Sequence, residues 1–470
     1  MSDYDLVVIG AGATGLSAAR SARRDGRRVA LVEAARPGGD CTHFGCVPSK
    51  ALLETARRVQ AARNGKAYGF SATVDVDFPR VMDRVHAVIA DIERDESPAL
   101  LKSEGIDLLA DWGVVTGPTS LDVGGRRVSF DKLVVASGSR AFVPPVDGLD
   151  AVPYLDNKNV FALRELPAHL IVLGGGPIGI ELAQAFRRLG AQVTVVEGAP
   201  TLLGREEPEA QQAVTAALER EGVVVKVGTT AVRVEPGPVV HLDDGTAVSG
   251  SHLLVAVGRT PATDGLGLET AGVRLDRGRV VTDEHLRAAD TVWAAGDCTS
   301  RLQFTHVGDE QGRMAARNAF AGPLPWKRGT WDERVVPWVT FTEPEVGHVG
   351  LTESQAYEQH GAKAVVSIAW DRDGDRGRTA GETDGFVKLI AVPGPVGGLV
   401  TGKLVGMTAV GPMAGELIAE GALSMRSGSV VGRMAQTIHA YPTWSLTTRY
   451  AAAQFFDRGR SPARPARGAA

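Results

Sequence analysis

Two stretches of this chain carry the same unit, and that repeat constrains the fold more than any other feature. Residues 5–33, DLVVIGAGATGLSAARSARRDGRRVALVE, read as strand, glycine-rich turn, helix and strand; Gly10, Gly12 and Gly15 form G-x-G-x-x-G, and Glu33 ends the second strand. Residues 169–197, HLIVLGGGPIGIELAQAFRRLGAQVTVVE, repeat that order with Gly174, Gly176, Gly179 and Glu197, each 164 positions beyond its counterpart. Glycines so spaced permit a tight turn and a close approach of backbone to a pyrophosphate, and the next helix offers its positive end to that charge. The closing glutamate can accept from ribose hydroxyls. One such triplet is weak evidence; two, each with strand, helix and acid in order, predict two dinucleotide sites. Two dinucleotides in one chain point to a flavin and a nicotinamide, because hydride passes readily between them.

At 470 residues the chain exceeds one ordinary core, and about three domains are expected. Its 44% hydrophobic and 23% charged residues are those of an ordinary globular chain, and a net charge of -4 supplies no cationic field for nucleic acid. The opening MSDYDLVVIGAG lacks the pattern of a secretory signal, and no apolar run reaches the length of roughly 18 residues that a membrane span needs. A cytoplasmic protein with neither a nucleic-acid nor a membrane partner is expected.

The chain has three cysteines, too few for a disulfide framework in a reducing compartment. Two of them, Cys41 and Cys46, stand in GGDCTHFGCVPSK, residues 38–50. They can be buried thiols, metal ligands or catalytic redox thiols. A lone C-x4-C offers a metal two soft ligands, and no second Cys/His pair occurs at finger-like spacing, so no metal site is expected. Regular helix geometry would hold the two alpha carbons roughly 8 to 9 Å apart, too far for a disulfide. A disulfide between them would therefore need a distorted loop, and Gly45 and Pro48 suit a break from regular helical geometry.

Further landmarks are the buried strands of KLVVASGSRAFVPPVDG (132–148), HLLVAVGRTPATDG (252–265) and TVWAAGDCTS (291–300), and the helix pattern of FTHVGDEQGRMAARNAF. From about residue 330 strands and helices of a third kind appear, PWVTFTEPEVGHVGLTE and KLVGMTAVG among them; 458–470 read as a flexible basic tail. With these residues the chain resembles the flavoprotein pyridine nucleotide:disulfide oxidoreductases, the group of lipoamide dehydrogenase, glutathione reductase and mercuric reductase. The likeness runs over nearly the whole length. GGDC, QFTHV and DRGRTAGETDGF look most like the mercuric-reductase-like members.

The resemblance implies an α/β fold of two Rossmann-like dinucleotide-binding domains plus an α+β C-terminal dimerisation domain. Residues 1–150 and 266–329 would bind FAD, 151–265 NAD(P), and 330–457 would form a homodimer interface. FAD would meet Gly10, Gly12, Gly15, Glu33, Gly39, Lys50, Ser137, Gly138 and Asp297; the nicotinamide cofactor would meet Gly174, Gly176, Gly179, Glu197 and Gly258. Cys46 would lie against the flavin as the charge-transfer thiolate, Cys41 would face substrate, and Lys50 would stand beside the flavin, paired with Glu181. Cys298 is expected to be inert. A carboxylate at Glu197 favours free ribose hydroxyls and so NADH, although Arg205 nearby leaves NADPH possible.

The pattern departs in TIHAYPTWSL, residues 437–446. Disulfide-reducing relatives carry there a histidine, delivered from the partner subunit, and a glutamate that orients it; this chain has Tyr441 and Leu446. A tyrosine, with an ordinary pKa of about 10, is a poor base near neutrality, and mercuric reductases also have one here. His439 is the other candidate for proton transfer. Mercuric reductases share a C-terminal cysteine pair that passes metal inward, and these residues show none, so any metal is expected to reach Cys41 and Cys46 unaided. The expected activity, as the resemblance implies, is an FAD- and NAD(P)H-dependent oxidoreductase passing electrons through a Cys41–Cys46 redox-active disulfide to a small acceptor: a metal ion, a quinone or a small oxidant. The alternatives are a small-molecule disulfide reductase or dithiol oxidase and, in another class, a slow flavin redox sensor or assembly subunit.

Overall fold

The computed structural model describes residues 2–299, 302–322, 325–396 and 398–457; the expected tail at 458–470 lies outside the described residues. Both glycine units build parallel sheets with the same strand order. In the first, Ile106–Leu109, Val29–Val32, Tyr4–Ile9 and Arg126–Val135 lie side by side, with Val292–Ala294 added parallel to Arg126–Val135. In the second, the corresponding order is Val224–Val227, Gln192–Glu197, His169–Leu173 and His252–Val255. The repeat extends further than the glycine motif, because each sheet is accompanied by an antiparallel set: Gly113–Gly117 and Ser120–Val123 beside Arg126–Val135 in the first, Ala231–Glu235, Val239–Leu242 and Ala247–Ser249 in the second. A short ribbon, Ser139–Ala141 against Arg259–Pro261, joins the two units.

These strands are apolar on both faces because both faces are covered. Along Tyr4–Ile9, Leu6 and Val8 pack with helices Ala13–Arg24 and Thr305–Ala319, whereas Val7 and Ile9 face the opposite core with Phe130 and Leu268. Along His169–Leu173, Leu170 and Val172 meet Ile180 and Phe186 of helix Pro177–Leu189, and Ile171 and Leu173 turn to the other side. Full burial of each such side chain stabilises by roughly 1.5 to 3 kcal/mol.

Between its second and third strands the first unit inserts two long helices, Cys46–Arg63 and Phe78–Glu93. Their buried residues Leu52, Ala56, Phe78, Met82 and Val85 belong to the core of the second unit, where the rings of Phe78 and Phe186 lie 6.1 Å apart. The insertion therefore leaves one unit and packs on the other. The third region is a five-stranded antiparallel sheet, ordered Pro337–Thr340, Glu345–Gly350, Gly398–Gly411, Phe386–Gly394 and Val365–Trp370, with helices Ala414–Ser427, Val431–Gln436 and Ser445–Gln454 beside it. Among the described residues no helix is long and apolar enough to cross a membrane.

Candidate active site

The two glycine turns are constrained in the same way. Gly10 and Gly174 have φ of +98° and +110°, and a Cβ on either would sit 2.3 or 2.5 Å from a carbonyl oxygen, of Ala136 or Ala256. Gly15 and Gly179 let the helix close on the turn, since a Cβ there would meet the Gly10 or Gly174 oxygen at 1.8 or 2.1 Å. Gly12 and Gly176 differ: a Cβ on Gly12 meets only the Gly39 alpha carbon, at 3.8 Å, and one on Gly176 meets nothing within 4 Å. Tight packing therefore fixes the first and third glycines, while the second faces open space, as a pyrophosphate cradle requires. Glu33 accepts from the amides of Ala11 (2.8 Å) and Ala35 (2.9 Å), and Glu197 accepts from those of Gly175 (2.6 Å) and Ala199 (2.7 Å). Both carboxylates are held at the strand ends beside the turns.

Both turns open onto one continuous cleft of about 2390 Å³, whose walls include Glu33, Cys41, Cys46, Lys50, Glu181, Glu197 and Asp297. A cleft this long suits two extended dinucleotides meeting near its middle. On its wall the amide nitrogen of Gln303 and the amide oxygen of Asn157 are buried without a hydrogen-bond partner, as befits groups reserved for a bound polar ring. The residues present fit FAD and a nicotinamide dinucleotide.

The cysteines lie mid-cleft. Helix Gly39–His43 ends at Phe44, the chain turns at Gly45, and helix Cys46–Arg63 begins. Gly45 serves close approach, because a Cβ there would lie 2.9 Å from the Asp40 oxygen. Pro48 acts otherwise than its ring suggested: it sits in the first turn of the new helix, where an amide proton has no intrahelical partner to lose. The break brings the two sulfurs within hydrogen-bonding reach, and both thiols are free. The hydrogen bond to Cys46, together with burial, pushes the Cys41 thiol up. That bond, the Thr305 hydroxyl 3.4 Å from Sγ, and the charge of Lys50 bring Cys46 down to about 6, against burial and the Glu181 carboxylate.

Lys50, one turn along from Cys46, bonds Glu181 Oε2 at 2.8 Å and lies 4.5 Å from the centre of the Phe341 ring. The other oxygen of Glu181 accepts from the Phe341 amide at 2.9 Å. Three parts of the chain thus meet at one carboxylate. On the far wall Asp297, raised by burial, accepts from the Ser139 hydroxyl at 2.6 Å, next to Ser137 and Gly138. Arg259, directly after Gly258, donates to Ser139 Oγ at 2.7 Å and pairs with Asp40 of the redox loop. Cys298 is fully buried, pushed up to about 11 by desolvation.

Within one chain the structure does not bring Tyr441 or His439 to this cleft. Tyr441 is 71% exposed, and its hydroxyl donates to Asp375 Oδ2 at 2.9 Å. Both ring nitrogens of His439 are engaged, one 3.0 Å from the Thr437 oxygen and one 3.2 Å from Glu420. Sequence reasoning gave no role to Thr305, Arg259, Phe341 or Asp375, although each stands inside a stretch it singled out: QFTHV, AVGRTP, FTEPEV and DRGRTAGETDGF.

Comparisons with known proteins agree with this geometry. A family model described as pyridine nucleotide-disulphide oxidoreductase matches residues 4–312, and that of its dimerisation domain matches 336–452. A mercuric reductase of Streptomyces lividans is 35% identical, covering 96% of each chain, and a dihydrolipoyl dehydrogenase of Thermus scotoductus is 35% identical over 95% of this chain and 96% of its own. Among solved structures, LpdA of Mycobacterium tuberculosis superposes with a TM-score of 0.85 at 29% identity, over 96% of this chain and 99% of that one. The Cu(II) complex of RclA, an HOCl-induced flavoprotein disulfide reductase of Escherichia coli, gives 0.84 at 28% identity, over 97% and 100%. The chain belongs to the pyridine nucleotide-disulphide oxidoreductases, FAD-dependent enzymes with a disulfide redox centre, a pyridine nucleotide as second cofactor and a dimerisation domain.

Proposed function

We propose that this enzyme oxidises NADH and delivers the electrons, through Cys41 and Cys46, to a small acceptor that needs little proton donation, such as Cu(II), Hg(II) or a quinone. FAD is assigned to residues 1–150 with 266–329, the nicotinamide cofactor to 151–265, and the dimer interface to 330–457. Bound FAD would accept hydride from the nicotinamide and supply an electron pair to the cysteine disulfide. The chain does the rest. Gly12 and Gly176 receive the pyrophosphates, and Glu33 and Glu197 hold the riboses. The Glu197 carboxylate, fixed by two amides, disfavours a 2'-phosphate and supports NADH. Lys50, fixed by Glu181, and Thr305 stabilise a Cys46 thiolate, while Cys41 keeps the proton and faces the acceptor.

The observation that carries this reading is the Cys46 thiol lowered to about 6 in a cleft shared by both glycine turns, with a phenol where an acid-base pair would serve a disulfide. The competing disulfide reductase would use His439 or water, and both ring nitrogens of His439 are taken within its own chain. The RclA likeness, found with Cu(II) bound to that protein, also supports a metal acceptor. Anaerobic stopped-flow mixing with NADH tests the path: the flavin bleaches within a second and a long-wavelength charge-transfer band appears after it. Turnover is then compared for NADH and NADPH, and for Cu(II), Hg(II), a quinone and lipoamide. Bleaching slower than seconds favours a redox sensor, and fast turnover of lipoamide alone refutes the acceptor class.

A further inference from the structure

The segment DRGRTAGETDGF, residues 375–386, has no part in the chemistry above, yet its first turn grips the loop that carries Tyr441. Tyr441 Oη donates to Asp375 Oδ2 at 2.9 Å, the Arg376 guanidinium lies 5.1 Å from the centre of the Trp444 ring, and Thr447 donates to buried Asp371 at 2.7 Å. Arg378 stands 4.0 Å from the other Asp375 oxygen and so leaves Oδ2 to the phenol. The orienting glutamate missing at Leu446 thus has a counterpart supplied from 66 residues earlier than Tyr441.

We propose that Asp375 is the positioning residue for Tyr441: it takes the phenolic hydrogen bond, so that Tyr441 presents an oxygen lone pair, not a proton, to an acceptor at the cysteine pair across the dimer interface. This rests on the function proposed above and narrows it. A hydroxyl has one proton and two lone pairs; with the proton committed to a carboxylate, the exposed oxygen can only accept. Such an oxygen, with a carboxylate behind it, serves a metal cation. It gives nothing to a departing thiolate, which must be protonated.

The test uses FAD-loaded enzyme, NADH and Cu(II) as probe, with lipoamide for comparison. Wild-type flavin bleaching is measured first; its absence overturns the electron path itself. Given bleaching, Cu(II) turnover without lipoamide turnover supports the proposal, and the reverse overturns it while leaving the path intact. Asp375→Ala is expected to lower kcat/KM for Cu(II) about tenfold, the size of one hydrogen bond, mainly through KM. Tyr441→Phe should do the same, and the double variant should lose no more than either single one. Asp375→Asn keeps an acceptor oxygen and should restore most of the loss, which a merely structural role for the charge would not predict. It also carries the test if the alanine variant does not fold. Wild-type kcat/KM in Asp375→Ala, multiplying losses in the double variant, or an asparagine variant as poor as the alanine one would each overturn the assignment.

Discussion

The two dinucleotide units share strand order, glycine turn and closing glutamate, and differ in the segment placed after the second strand. The second unit has one helix there, Pro208–Arg220; the first has the redox loop and the helices Cys46–Arg63 and Phe78–Glu93. In the function proposed above, the shared topology serves binding and the insertion serves reaction. Because the inserted helices bury their apolar faces on Pro177–Leu189, the thiols are held by the second unit, the one proposed to receive the nicotinamide. Lys50 reaches Glu181 for the same reason: both lie along that helix contact.

The largest effect should come from the insertion. Cys46→Ser or Cys41→Ser is expected to lower acceptor turnover on the order of 10³-fold, as loss of a nucleophile does, while NADH still bleaches the flavin in stopped flow. Comparable loss of bleaching would mean that the insertion also governs hydride transfer, and the division of labour would fail.

The units also differ in how they meet the third region. Lys388, 2% exposed, bonds Glu207 at 2.9 Å and Glu209 at 3.0 Å from the second unit, and lies 2.6 Å from Glu353. These carboxylates hold its pKa above the usual lysine value despite burial. Lys388→Met strands buried carboxylates and should destabilise the fold by roughly 3 to 5 kcal/mol, read as a lower midpoint of thermal unfolding. An unchanged midpoint would show that this junction contributes little.

The glycine turns offer a matched pair. Gly12 and Gly176 have φ of -77°, which any residue adopts, and space for a Cβ. Alanine at either should leave the fold intact and crowd only the ligand. Gly12→Ala is expected to purify with little flavin; Gly176→Ala should keep its flavin and raise KM for NADH on the order of tenfold or more. Reversed phenotypes would swap the cofactor assignments.

The two glycine turns and the cysteine loop were legible in the sequence because their determinants are local: closely spaced glycines, a glutamate at a strand end, cysteines in one loop. The pairing of Lys50 with Glu181 came from family likeness, not spacing. The hidden contacts span long separations. Thr305 meets Cys46 across 259 residues and Arg259 meets Asp40 across 219, and the local run around each does not name its partner. The helices after Cys46 gave no sign of packing on the second unit, since an apolar face does not name its partner. Pro48 departs from expectation because a proline that breaks a helix interior is harmless in its first turn. The full extent of the repeat was obscured because doubly covered strands lose the alternation that marks half-buried ones.

The smallest effect is the sharpest test of why the insertion sits on the second unit. The Cys41 hydrogen bond, Thr305 and Lys50 lower the Cys46 thiol, so the charge-transfer band of the two-electron-reduced enzyme should rise with pH at an inflection below that of an ordinary thiol. Lys50 lowers this inflection and Glu181, from the second unit, raises it. Lys50→Met removes the cation and leaves Glu181 unopposed, so the inflection should climb by roughly one unit. Glu181→Gln removes the opposing charge and should move the inflection the other way, by less, because Lys50 also loses its anchor. If both variants shift it in the same direction, Glu181 acts on Cys46 only by placing Lys50, and the second unit supplies a mount for the lysine with no field of its own at the thiol.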